Sequence, residues 1–136
     1  MPNHFHCIIR EVRANGVSKY MQRFLTSYTK YFNTRHEQVG HVFQGRFQAV
    51  HIEDDNQLLY CSAYIHRNPR ELKGWRDREY EYPWSSYQDY VGTNRWGVLL
   101  RPDIVLDQTG RGERYRRFAT ASRAKDRMMD ATLQID

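Results

Sequence analysis

Two histidines separated by one residue, His4 and His6, open the chain in the stretch "MPNHFHCIIR". On an extended segment, side chains two apart project from one face, so the two imidazoles would stand side by side. Neutral imidazole is a common ligand for divalent metals. Further along, "LLYCSAYIHRNP" sets Tyr60, Tyr64 and Asn68 four residues apart, on one face of a helix. Two imidazoles and the amide oxygen of Asn68 would make a three-ligand site with open positions, as a catalytic metal site needs. A phenol one turn from that amide could attack a phosphorus bound in the open positions. Tyrosine is a weak nucleophile at its ordinary pKa of about 10, so it needs an electrophile that a metal has made reactive. Taken singly, each part has a plainer reading: polar residues on a strand face, and a surface stripe on a helix. On spacing alone, Tyr60 and Tyr64 both fit the nucleophile.

The histidines require a strand, and residues 4 to 12 have its composition: Phe5, Ile8, Ile9 and Val12, closed by the turn residues Ala14-Asn15-Gly16. Ser18 then suits a helix N-cap, and Val17, Met21, Phe24, Leu25, Tyr28, Tyr31 and Phe32 recur at helical spacing as far as Arg35. The sequence predicts that this aromatic stripe packs on a sheet. "GHVFQGRFQAVHIE", residues 40 to 53, reads as one strand, or two bent at Gly45. Asp54 or Asp55 can cap the helix that carries Tyr60 and Tyr64, and Pro69 should end or kink it at Asn68. Later segments suggest a short helix from Ser85 and a basic helix near 113–130. Trp84 in "YPWSSY" is expected in the core.

A chain of 136 residues fits one small domain. With 40% hydrophobic residues and ten tyrosines it has a globular composition, which excludes a disordered chain. The formal charge of +5 is compatible with a nucleic-acid partner without requiring one. Cys7 and Cys61 lack metal-finger spacing and read as buried, reduced thiols. There is no apolar run of bilayer length and no secretory leader pattern, so the expectation is a soluble cytoplasmic protein.

Taken in order, "MPNHFH", "GHVFQGRF", "YIHRNP" and "YPWSSY" resemble the single-tyrosine HUH transposases, and among them the REP-associated tyrosine transposases, relatives of small bacterial insertion-sequence enzymes. The resemblance covers residues 1 to about 92. It implies an α/β (α+β) fold: a ferredoxin-like sandwich with an antiparallel sheet. It implies Mg²⁺ or Mn²⁺ on His4, His6 and Asn68, and Tyr64 as the nucleophile, since Tyr64 is correctly placed before the "NP". The implied reaction is cleavage and transfer of single-stranded hairpin DNA, such as REP-like palindromes, through a 5′-phosphotyrosine, in a bacterial cytoplasmic monomer or homodimer. A P-loop is absent, consistent with transfer that keeps bond energy in the covalent link.

Relatives place a strand, a helix and another strand before the HUH motif, so the expected organisation is an N-terminally truncated catalytic domain over 1–92 and a loop-rich, helical extension over 93–136. Gln44, Arg46 and Gln48 alternate on the second predicted strand and would share a DNA-facing surface. Lys19 and Arg23 on the first helix, with Arg67 and Arg70 beside Tyr64, would follow the phosphate backbone. The alternative readings are a non-catalytic basic domain that binds structured single strands, and an inactive gene fragment.

Overall fold

The computed structural model describes residues 1–122, and these form two compact units: Ile9–Val50, and the remainder, in which Met1–Ile8 joins the chain from His51 onward.

The first unit is built on α1, Gly16–His36. Its apolar stripe follows the predicted periodicity, but the helix starts two residues before Ser18. Asn15 takes the cap position in the left-handed region (φ 61°) without a side-chain cap bond. Met21 is the one α1 residue that is buried, while Tyr20, Phe24, Tyr28 and Tyr31 are exposed. Local ring contacts hold the segment after the helix: Tyr28 meets Phe43 at 5.6 Å, and Asn33 Nδ2 donates to Gly40 O at 3.0 Å. Gly45 adopts φ +77°, so the backbone does bend there.

No strand occurs among the described residues, which overturns the ferredoxin-like sandwich, its antiparallel sheet and the two predicted strands over 4–12 and 40–53. Alternation in a sequence says which face of a segment is apolar, but a strand exists only through hydrogen bonds to a neighbour. Neither segment forms a ladder among the described residues, and Phe5, Ile8, Ile9 and Val12 stay exposed. The α1 stripe accordingly has no sheet to pack on.

The second unit is helical. α2, Asp55–Arg67, is capped by Asp54, whose Oδ1 accepts from Gln57 N at 2.7 Å. Pro69 does not expel Asn68 from helical geometry (φ −53°, ψ −38°); the chain tightens instead into a 3₁₀ turn over Asn68–Glu71, with proline at its first turn. α3, Tyr87–Val91, α4, Asp103–Thr109, and α5, Glu113–Ala121, follow. The predicted helix over 113–130 is thus seen to Ala121, and its part from 123 lies outside the described residues.

The core of this unit gathers Leu58 and Ala63 of α2, Tyr87 and Tyr90 of α3, Val105 and Leu106 of α4, and Tyr115 and Ala119 of α5. Ala63 and Ala119 are completely buried, which lets helices approach closely. The tyrosines bring large apolar area together with hydroxyls that need partners. Gly112 caps α5 at φ +67°, ψ −130°, a conformation other residues rarely adopt, and its N–H donates to Tyr90 O at 3.1 Å, fastening α5 to α3. Trp84 is 83% exposed, so the expectation of a core anchor was wrong. Cys61 is buried but Cys7 is exposed, and both are free thiols.

Candidate active site

The extended segment that carries the histidines and the helix that carries Tyr64 belong to the same unit. The His4 and His6 rings lie 5.0 Å apart, centroid to centroid, at 70°. The His6 ring lies 6.1 Å from the Tyr64 ring at 65°. Two histidines and the tyrosine therefore form one continuous cluster, although the histidines sit on irregular backbone and not on a strand.

Each group has its electrostatic setting. His4 Nδ1 donates to Asn3 Oδ1 at 2.8 Å, which leaves Nε2 as the ring's lone-pair nitrogen. Partial burial holds His6 below the ordinary imidazole range, and the nearby His4 ring and the amino terminus push the same way. All three favour the neutral imidazole, the form with a lone pair to offer. Asn68 follows Tyr64 by one turn, and its Nδ2 is buried without a hydrogen-bond partner among the described residues. Tyr60 and Tyr64 are both half-buried. No cluster of three or more His, Cys, Asp or Glu side chains suited to a metal occurs among the described residues.

On the same helix, His66 points the other way. Its position about 200° round from Tyr64 requires this at 100° per residue. Its ring is 3% exposed and lies flat on Tyr87, with centroids 5.1 Å apart and planes at 2°. Nδ1 pairs with Tyr115 Oη at 2.6 Å and Nε2 with Ser86 Oγ at 2.8 Å. Burial lowers its pKa to about 3, against a smaller opposing pull from Asp89. Buried and hydrogen-bonded at both ring nitrogens, His66 has a structural role.

The predicted DNA-contacting residues divide between the units. Lys19 and Arg23 are exposed on α1, and Gln44, Arg46 and Gln48 are exposed on the irregular segment of the same unit. Arg67 and Arg70 belong to the unit that holds Tyr64. Arg67 has a structural engagement: its Nη1 donates to Thr120 O at 3.0 Å and Ser122 O at 3.1 Å, closing the end of α5. Tyr115 went unnoticed in the sequence because three arginines around it suggested a solvated helix. Its spacing of four from Ala119 is the signal that marks the buried face.

No curated protein and no solved structure matches the chain. Residues 1–68, half of the chain, match the family model described as "Transposase IS200 like". The matched stretch contains the histidine pair, Tyr64 and Asn68, and the chain belongs to the IS200-like transposases, a family of DNA-transposing enzymes.

Proposed function

We propose that this chain cleaves and rejoins single-stranded hairpin DNA, of which REP-like palindromes are one class, by the chemistry of a single-tyrosine HUH enzyme. Tyr64 is the nucleophile, and His4, His6 and Asn68 hold Mg²⁺ or Mn²⁺. The observation that carries this reading is the contact of Tyr64 with His6, at 6.1 Å between rings, beside His4 at 5.0 Å from His6.

The donor set fits such a cation. His4 Nδ1 is taken by Asn3, which leaves Nε2 outward; burial favours the neutral form of His6; and Asn68 Nδ2 is buried without a hydrogen-bond partner among the described residues. Bound there, a divalent cation would polarise the scissile phosphate and offset charge on its oxygens. The remaining steps fall to the protein. The Tyr64 phenol loses its proton to solvent, and its oxygen attacks phosphorus in line. The P–O3′ bond breaks, and the departing 3′ oxygen takes a proton from solvent. A 5′-phosphotyrosine remains, with the ester bond energy retained. A 3′-hydroxyl from the same or another strand then attacks that phosphorus, restores the phosphodiester and releases Tyr64. Because His6 and Tyr64 of one chain are neighbours, the reading favours a site complete within a single copy.

The test is incubation of the chain with a pool of hairpin oligonucleotides bearing single-stranded flanks, with and without Mn²⁺. The expected product is a covalent protein–DNA adduct that requires Mn²⁺, survives Tyr60→Phe and disappears in Tyr64→Phe. Survival in Tyr64→Phe with loss in Tyr60→Phe would transfer the role to Tyr60. Metal-independent binding without any adduct would make the chain a DNA-binding domain.

A further inference from the structure

The family match ends at residue 68, yet the helix that carries Tyr64 is held from behind by residues beyond it. Ser62 and His66 on the α2 face away from the cluster, and Arg67 at the end of the helix, reach α5 or the N-cap of α3. Ser62 Oγ lies 2.6 Å from Tyr115 Oη, and Tyr115 Oη lies 2.6 Å from His66 Nδ1. His66 Nε2 continues to Ser86 Oγ at 2.8 Å, and Arg67 closes the carbonyl end of α5. Tyr115 and Ala63 are completely buried, and Ser62 nearly so. A neutral imidazole offers one donor and one acceptor, so the chain Ser62–Tyr115–His66–Ser86 is satisfied in either direction, and neither ring nitrogen is left unpaired. Buried polar groups satisfied in this way fix one arrangement, because any rotation of α2 strands several of them at once.

We propose that Tyr115 and His66 are positioning residues for strand transfer: through this buried chain, α5 locks the roll of α2 and so holds Tyr64 towards His6. The inference rests on the Tyr64 reading above. Their hydrogen bonds are made on the face of α2 away from Tyr64, so they act through the helix. A nucleophile displaced by about 1 Å can lose on the order of a hundredfold in rate.

The experiment uses the full chain with the hairpin pool and Mn²⁺, comparing wild type with Tyr115→Phe, which keeps the ring and removes the hydroxyl. Ser86→Ala removes only the far partner of His66, and Val105→Ala thins the same core without touching the chain. Three quantities are read: the single-turnover rate of adduct formation, hairpin affinity, and hydrogen exchange of the amides of residues 62–68. For Tyr115→Phe we expect a fall in adduct rate on the order of ten- to a hundredfold. Affinity should stay within about twofold, and exchange should rise locally in α2. Ser86→Ala should move all three the same way by less. Val105→Ala should lower the melting temperature and leave the adduct rate intact. An unchanged rate in Tyr115→Phe, or an equal slowing in Val105→Ala, overturns the proposal. If wild type forms no adduct, the strand-transfer reading fails, and the exchange data still decide whether the chain holds α2: no local rise in Tyr115→Phe and Ser86→Ala would overturn it.

Discussion

Acid should unfold this protein through His66, and the size of the effect follows from its surroundings. In the unfolded chain the ring titrates near the ordinary value of about 6.5. In the fold its pKa falls to about 3 because the ring is enclosed by Tyr87, Tyr90 and Tyr115, with centroids at 5.1, 4.5 and 5.5 Å. Hydrogen bonding does not decide the shift, since Tyr115 and Ser86 are hydroxyls that can accept from an imidazolium as readily as they serve the neutral ring. What the site lacks is a countercharge in contact with the ring; the pull of Asp89 only partly offsets burial. Between the two pKa values the unfolded state binds a proton that the folded state does not, so stability falls as pH falls. It is whole above about pH 6.5 and decays down to about pH 3. Each pH unit in that window costs about 1.4 kcal/mol, hence about 3 kcal/mol at pH 4.5 and about 5 kcal/mol at the lower limit. The assay is urea denaturation of wild type and His66→Gln between pH 7.5 and 4.5. Other titrating groups contribute to both, so the difference between the two slopes isolates His66. Wild type should lose about 3 kcal/mol more than the variant over this range. Equal slopes would refute the reasoning and mean that His66 accepts a proton within the fold.

Two further outcomes follow from packing. Ala119→Leu forces a larger side chain into a completely buried position and should cost about 1–3 kcal/mol in chemical denaturation. Trp84→Ser, at an 83% exposed position, should change stability by less than about 0.5 kcal/mol, whereas a core tryptophan would cost several times that.

Helices were legible in the sequence where local chemistry specifies them. Asp54 caps α2 through a bond to a residue three positions on, and the four-residue spacing of Tyr60, Tyr64 and Asn68 describes one face whatever surrounds it. The opposite placement of His66 followed from the same periodicity. The strands failed because their existence depends on partners that no local pattern supplies: residues 4–12 have β composition and form no ladder among the described residues. Trp84 failed for a related reason, since an aromatic residue in a loop says nothing about which element will cover it. Tyr115 is the clearest long-range case. Its hydroxyl meets residues 49 and 53 positions earlier, a relation invisible in the basic segment that contains it.

The histidine pair and Tyr64 show how chemistry and scaffold divide along this chain. The groups that would carry the reaction lie within residues 1–68, the part that matches the transposase family. The core that steadies the tyrosine helix draws on Tyr87, Tyr90, Val105, Leu106, Tyr115 and Ala119, all beyond that part. The histidines, by contrast, occupy backbone without regular hydrogen bonding, and His4 is exposed. One side of the site is therefore set in a packed core and the other on a segment without regular hydrogen bonding, so local opening should begin at the histidine segment. A ligand that binds both sides at once has the most ordering to gain there, because it supplies the connection that a ladder would otherwise provide. If that ligand is a divalent cation, Mn²⁺ should slow hydrogen exchange at residues 4–8 far more than in α2, where His66 and Tyr115 already hold the helix.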